Sequence, residues 1–312
     1  MPPPYLSIVI PVYNEEYNLT PLMQRLYPVL QGIGKPFEVI FTNDGSRDRS
    51  LEILRHMAQE YPGVKVIEFN GNFGQHMAIL AAFEKTSGQI IVTLDADLQN
   101  PPEEIPRLVA EIERGRDVVG TIRQKRQDTF FRRLASRIVN ITTNKMTGME
   151  MSDYGCMLRA YHRDIITNIN RCQEAATFIP ALAQTFCSNP AEIRVSHSER
   201  SAGESKYSLY NLVRLNFDLM TGFSVVPLQL FALFGIITSI LSVVFALFLL
   251  VRRFVVGAEV EGVFTLFAIL FFFVGIIILG IGIVGEYVGR IYQEVRKRPR
   301  YVIRKTYGFD DE

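Results

Sequence analysis

The chain contains no tryptophan, only three cysteines and almost no charge imbalance, with 33 Lys and Arg against 32 Asp and Glu. A balance this even argues against bulk nucleic-acid binding, which depends on a surplus of cations. Cys156, Cys172 and Cys187 lack the spacings that hold a metal and read as reduced thiols. The chain opens without a basic leader and short apolar segment, so no cleavable signal peptide is expected. Charge itself is absent from two stretches, Leu219 to Val251 and Gly262 to Gly285.

Each uncharged stretch exceeds the ~20 apolar residues that cross a bilayer as a helix. Phe231, Leu233, Phe234, Ile236, Ile237, Ile240 and Leu241 leave no polar face for a soluble helix to expose. The expectation is a cytoplasmic domain over 1–205, an amphipathic juxtamembrane segment over 206–224, spans over 225–251 and 262–285, and a basic tail over 286–312. Two spans return the chain to its starting side. Arg290, Arg296, Lys297, Arg298, Arg300, Arg304 and Lys305 in the tail outnumber Arg252 and Arg253 in the connection, which places both termini in the cytoplasm.

The first ~200 residues alternate short β-rich runs with longer helical patterns, the mark of an α/β domain with a largely parallel sheet. Strands are expected over Leu6 to Val12, Phe37 to Thr42, Val64 to Phe69 and Ile90 to Leu94. The last is a continuous apolar run, as in a strand covered on both faces, and it leads into Asp95-Ala96-Asp97-Leu98-Gln99. On extended chain, Asp95, Asp97 and Gln99 would project the same way and offer three oxygens to Mg²⁺ or Mn²⁺ holding a diphosphate. A solvated acidic loop is the plainer alternative. Asn14-Glu15 and Asp44 follow two earlier strands, and Asn70 to His76 forms a Gly-rich turn after a third. Asp44 reads equally as a helix cap or a ligand contact. Polar side chains at successive strand ends would share the crevice where open α/β sheets bind ligands.

In order along the chain, Ser7 to Glu15, Asn43-Asp44-Gly45-Ser46, Asn72 to His76, Asp95 to Pro106, Arg123 to Asp128, Asp153 to Tyr161 and Gly285 to Tyr292 resemble the polyprenyl-phosphate glycosyltransferases of the GT-A family 2 type. The closest similarity is to the branch that transfers 4-deoxy-4-formamido-L-arabinose to undecaprenyl phosphate in lipid A modification and polymyxin resistance. The resemblance implies a GT-A nucleotide-sugar-binding domain with a C-terminal two-helix membrane region, in the bacterial inner membrane. It implies donor contacts at Pro11, Tyr13, Glu15, Asp44, Gly74, Asp95 and Lys206, and Mg²⁺ or Mn²⁺ at Asp95, Asp97 and Gln99. Acceptor-phosphate contacts would fall on Arg123, Arg133, Ser136, Arg137, Arg200 and Ser205, with Asp153 as the catalytic residue that orients or deprotonates the acceptor. Asn43 stands where a second acid often accompanies Asp44, leaving base recognition to Asp44. The implied partners are a UDP-sugar, undecaprenyl phosphate and membrane lipid, with no nucleic acid and with room for a homo-oligomer.

Several of these residues have plainer roles open to them. The arginines from Arg123 to Arg137 suit a basic face against anionic headgroups, Arg200 to Ser208 a polar linker, and Asp153 a turn or cap. His76 and His197 read as pocket or loop residues, having no second histidine at ligand spacing. The chemistry favours a lipid phosphate acceptor. Its oxygen is already ionised near neutral pH, so direct displacement at the anomeric carbon, with inversion, needs no strongly activated base. Glucosyl or mannosyl transfer to a polyprenyl phosphate is the main rival. A processive polysaccharide synthase would carry more spans and a Gln-x-x-Arg-Trp motif, and a nonenzymatic scaffold would have no use for Asp95, Asp97 and Gln99.

Overall fold

The computed structural model describes residues 3–123, 156–172, 178–195, 226–256, 263–296 and 298–309. Strands and helices alternate through β1 (Leu6–Val12), α1 (Leu19–Ile33), β2 (Phe37–Asn43), α2 (Ser50–Glu60), β3 (Val64–Phe69), α3 (Gln75–Lys85) and β4 (Ile90–Thr93). A short helical turn at Pro102–Glu104 leads into α4 (Ile105–Glu113) and β5 (Val118–Arg123). Then come β6 (Arg159–His162), α5 (Arg163–Arg171), α6 (Ile179–Thr185) and β7 (Pro190–Val195). Two long helices, α7 (Val226–Val256) and α8 (Val263–Val295), precede a last strand, β8 (Ile303–Tyr307).

The eight strands form one sheet in the order β7-β5-β6-β4-β1-β2-β3-β8. β4, β1, β2 and β3 are mutually parallel, as the alternating pattern predicts. β6 runs antiparallel to both β4 and β5, and β8 antiparallel to β3. Both faces are covered, which is why runs such as Ile8-Val9-Ile10, Val39-Ile40-Phe41 and Ile90-Ile91-Val92 are apolar at consecutive rather than alternate positions. Ile8 and Ile10 of β1 pack on one side with Leu19, Leu22, Met23 and Leu26 of α1. Val9 faces the other side, with Ala78, Ile79, Ala82 and Phe83 of α3.

The edge away from the strand C-termini is tied by a buried carboxylate. Glu38 accepts from Ser7 Oγ at 2.6 Å, Lys65 Nζ at 2.9 Å and the Ser87 amide at 2.7 Å. Burial opposes its ionisation, but these three donors hold its pKa below the ordinary carboxylate value.

Over the stretch expected as a basic tail, α8 continues past Gly285 to Val295, and Ile303–Tyr307 returns as the edge strand of the sheet. Tyr307 Oη donates to the buried Glu68 at 2.7 Å, and Arg55 reaches the same carboxylate at 2.9 Å. The compact unit that carries the sheet therefore draws on both ends of the chain, Met1–Leu212 and Arg298–Glu312.

The second unit spans Val213–Lys297. Its two helices contain apolar stretches, Leu228–Phe245 and Ile269–Val295, long enough to cross a membrane. Core helices of a soluble protein would be covered, yet Ile240 is 60% and Phe271 69% exposed. At Gly280 a Cβ would lie 2.1 Å from the Phe231 ring, so the two helices approach closely through a residue without a side chain. The expected juxtamembrane segment lies outside the described residues.

Candidate active site

Because β1, β2, β3 and β4 are parallel, the loops that follow them emerge along one edge of the sheet. The first two are interlocked. Asn14 adopts a left-handed backbone (φ 55°), its amide donates to Ser46 Oγ at 3.0 Å, and its Oδ1 accepts from the Arg47 amide at 2.8 Å. The Glu15 amide donates to Ser50 Oγ at 2.9 Å and the Glu16 amide to Asp48 Oδ2 at 3.1 Å. Asp48 also accepts from the Ser50 amide, so it serves the start of α2, and of the two readings of Asp44 the helix cap does not apply.

Asp44 instead ties the second loop to the third. Its two carboxylate oxygens accept the amides of Phe73 at 2.6 Å and Gly74 at 2.9 Å, and Asn72 Nδ2 donates to its carbonyl at 3.1 Å. The side chain is buried, and burial outweighs the two amides, leaving its pKa above the usual value. Gly74 has φ +95°, accessible to glycine, and a Cβ there would meet nothing within 4 Å. Pro11 lies within β1, while Tyr13 just beyond it is 41% exposed at the rim.

The third loop meets the fourth through Gln75, whose Nε2 donates to Asp95 Oδ1 at 2.7 Å. The expected extended alternation of Asp95, Asp97 and Gln99 is not what the chain does there. Pairing of β4 with β1 ends at Thr93 and the backbone turns, with Leu98 left-handed (φ 61°) and Asp97 Oδ1 accepting the Gln99 amide at 3.1 Å. The turn is anchored beyond Gln99, where Arg25 of α1 forms a forked pair with Glu103 at 3.0 and 2.8 Å. Asp95, Asp97 and Gln99 all remain partly accessible.

Among the described residues no three His, Cys, Asp or Glu side chains converge as a metal cage. The donor set nevertheless fits a hard cation shared with substrate. Mg²⁺ and Mn²⁺ prefer oxygen, and Mg²⁺ in particular is commonly held by one or two carboxylates with substrate phosphates supplying the remaining ligands. Asp95 and Asp97 provide such a pair beside backbone left open at Gly74.

Arg123 ends β5. Val92 and Val119 both pair with Ala160, so β5 runs parallel to β4 and Arg123, at its C-terminal end, emerges on the same edge of the sheet as the loop after β4. Asp153, Arg133, Ser136, Arg137, Arg200, Ser205 and Lys206 lie outside the described residues, as does His197.

Two residues without an assigned role from sequence join the site. Gln75 orients Asp95; the motif around it was visible, but nothing in the sequence pairs it with a carboxylate twenty positions away. Arg159, in register with Thr93, is completely buried, and its Nε donates to the Cys156 carbonyl at 2.8 Å. A lone arginine inside an apolar run is the only sequence signal for it, since buried guanidinium groups require partners. Replacing Gln75 with Ala should weaken apparent Mn²⁺ affinity about tenfold at unchanged thermal stability, as expected for a partner that orients a ligand. Metal titration of initial rates measures this.

None of the three thiols forms a disulfide, and burial pushes the Cys187 pKa up to about 11. His76, at the start of α3, is largely withdrawn from solvent. Its Nδ1 is sealed from solvent without a hydrogen-bond partner, and its ring meets Phe178 edge-on at 5.3 Å. Burial lowers its pKa from 6.5 to about 4. The unfolded chain therefore takes up a proton at a higher pH than the folded one, and stability falls as pH drops from 6.5 toward 4, by up to about 3 kcal/mol. Acid melting curves of the wild type and His76→Leu should diverge in that interval, the variant losing less.

The model for the family described as Glycosyl transferase family 2 matches residues 7–169. A protein of Edwardsiella ictaluri named undecaprenyl-phosphate 4-deoxy-4-formamido-L-arabinose transferase is 50% identical over 306 residues, covering 97% of this chain and 94% of its own. A Pseudomonas aeruginosa protein of the same name is 50% identical over 304 residues, covering 96% and 90%. Among solved structures, glucosyl-3-phosphoglycerate synthase from Mycobacterium tuberculosis, in complex with Mn²⁺, UDP and phosphoglyceric acid, superimposes with a TM-score of 0.53 at 19% identity, over 70% of this chain and 77% of that one. At that identity the likeness establishes the GT-A fold.

Proposed function

The chain belongs to glycosyl transferase family 2, and from that premise we propose that it transfers 4-deoxy-4-formamido-L-arabinose from a UDP donor to undecaprenyl phosphate at the cytoplasmic face of the bacterial inner membrane. The observation that carries this reading is identity of about half, over nearly the full length, to transferases named for that sugar and that lipid. The site chemistry agrees with it. Interlocked loops at the ends of β1 to β4 form a polar rim, with Tyr13 exposed for stacking on a base and Asp44 beside it. The open backbone at Gly74 and the carboxylates of Asp95 and Asp97 suit the diphosphate end.

Bound there with the diphosphate, Mg²⁺ or Mn²⁺ would neutralise the charge that develops on the leaving UDP. The remaining work falls to side chains. Gln75 holds Asp95 in place, while Arg123 at the end of β5 would contact the acceptor phosphate and Lys206 with Arg200 would supply further positive charge. Arg133, Ser136, Arg137 and Ser205 would hold the acceptor phosphate, and Asp153 would orient it. One phosphate oxygen bonds to the anomeric carbon as the bond to UDP breaks. A single displacement inverts that centre. The two apolar helices keep the domain at the bilayer that contains the acceptor.

The test is to incubate the purified full chain with undecaprenyl phosphate, Mn²⁺ and separate UDP-4-formamido-arabinose, UDP-glucose and GDP-mannose, and to weigh the lipid product. A formamido-arabinosyl lipid supports the proposal. A hexosyl lipid overturns the donor, and no lipid product from any donor overturns the transferase reading.

A further inference from the structure

The segment after the second long helix packs against the end of β3 and the loop that follows it. Six residues beyond Val295, the Tyr301 ring stacks on Phe69 with centroids 5.2 Å apart and planes within 11°. Phe69 in turn meets Phe73 edge-on at 5.5 Å. The Asn70 amide donates to the Val302 carbonyl at 2.9 Å, so backbone pairing with the returning chain continues past the end of β3 into the loop. Phe73 and the adjacent Gly74 are the two residues whose amides hold the Asp44 carboxylate. The loop has little slack elsewhere, since a Cβ at Gly45 would fall 2.5 Å from the Gly71 carbonyl carbon.

We propose that Tyr301 is a positioning residue for donor binding: its ring and the neighbouring Val302 carbonyl hold the Asn70–Gly74 loop so that Phe73 and Gly74 fix the Asp44 carboxylate. This rests on the reading of Asp44 as part of the nucleotide site. The register of the returning strand is set separately, by Tyr307 on Glu68 with Arg55 alongside, at the far end of β8. Removing the Tyr301 ring therefore releases the loop without undocking the strand. The phenol is secondary. Its pKa is raised by burial and by a hydrogen bond to Glu84 of α3, but the contact with Phe69 is made by the ring, which phenylalanine retains.

The experiment uses the full chain in nanodiscs, with UDP affinity measured by calorimetry and transfer rates measured against donor concentration. Tyr301→Leu keeps apolar bulk at the sheet edge while losing the stacked ring. It is expected to raise the UDP dissociation constant and the donor KM about tenfold together, with kcat and melting temperature within twofold and two degrees of wild type. Tyr301→Phe should restore both constants. Wild-type UDP affinity in Tyr301→Leu overturns the proposal, as does a fall in kcat at unchanged KM or a failure of Tyr301→Phe to rescue. Asp44→Asn, run in parallel, separates the two readings. If that variant binds UDP normally, the assignment of Asp44 has failed; if it loses affinity while Tyr301→Leu does not, the positioning role alone has failed.

Discussion

Glycosyl transfer by the Asp95→Asn, Asp97→Asn double variant is expected to fall by at least about a thousandfold, and by about a hundredfold in either single variant. These substitutions isolate charge from geometry. Asp97 shapes its turn by accepting the Gln99 amide on Oδ1, and an asparagine oxygen can accept the same bond. Asp95 accepts from Gln75 Nε2, which an asparagine oxygen can also do. What disappears is two negative charges at the strand end, and with them, on the proposed reading, the affinity for a divalent cation that would neutralise the departing diphosphate. Transition-state charge stabilisation of this kind contributes several kcal/mol, and each 1.4 kcal/mol is a factor of ten in rate. The check is initial rate against Mn²⁺ concentration, beside melting temperature in chelator. The activating Mn²⁺ concentration should rise in each single variant while melting in chelator stays level or improves, because two neighbouring carboxylates repel. Wild-type rates at wild-type Mn²⁺ would remove the carboxylate pair from the chemistry. Chelator alone should silence the wild-type enzyme reversibly.

The parts of this fold that sequence reveals are those in which one local signal fixes the answer. Leu6 to Val12 and Val64 to Phe69 are predominantly apolar, β-rich runs ending in polar turns, and both strands begin and end where the pattern places them. Within the described residues the uncharged stretches likewise form long exposed helices. β8 was hidden because Ile303-Arg304-Lys305-Thr306-Tyr307 is an edge strand, with charge suited to an open sheet border, and its partner β3 lies more than two hundred positions earlier. The turn at Asp97 was hidden for a related reason. Asp-x-Asp alternates on extended chain, but whether the chain stays extended depends on where pairing with β1 stops, and no residue in the motif records that. Gln75 and Arg159 carry no periodic signal, and their roles arise only when the sheet sets α3 and β6 beside the end of β4. Sequence singled out Asp44 as a candidate and left its partner open. The structure supplies two backbone amides from a loop thirty residues away.

Those amides make Asp44 the site of the second large effect. An ionised carboxylate has about four acceptor positions, and the Phe73 and Gly74 amides use two of them. The remaining lone pairs can accept from a nucleobase N–H. Burial raises the pKa of this group despite the two amides, so its ionisation works against the fold rather than for it. A carboxylate kept under that penalty at a ligand-binding edge is better explained by recognition than by stability. Asp44→Asn should therefore raise the UDP dissociation constant ten- to a hundredfold, the range set by about 1.5–3 kcal/mol for a hydrogen bond to a charged group. Its melting temperature should change little, since the amide side chain still offers one acceptor and relieves the buried charge. Asp44→Ala should lose affinity to the same extent and also melt earlier, because it strands both backbone amides at a cost of about 1–3 kcal/mol each. Calorimetric titration with UDP, paired with thermal melting of both variants, reads the two effects apart. If affinity falls only in the variant that melts early, Asp44 is a strut for the loop at Phe73 and Gly74; if it falls equally in both, the carboxylate itself binds the nucleotide.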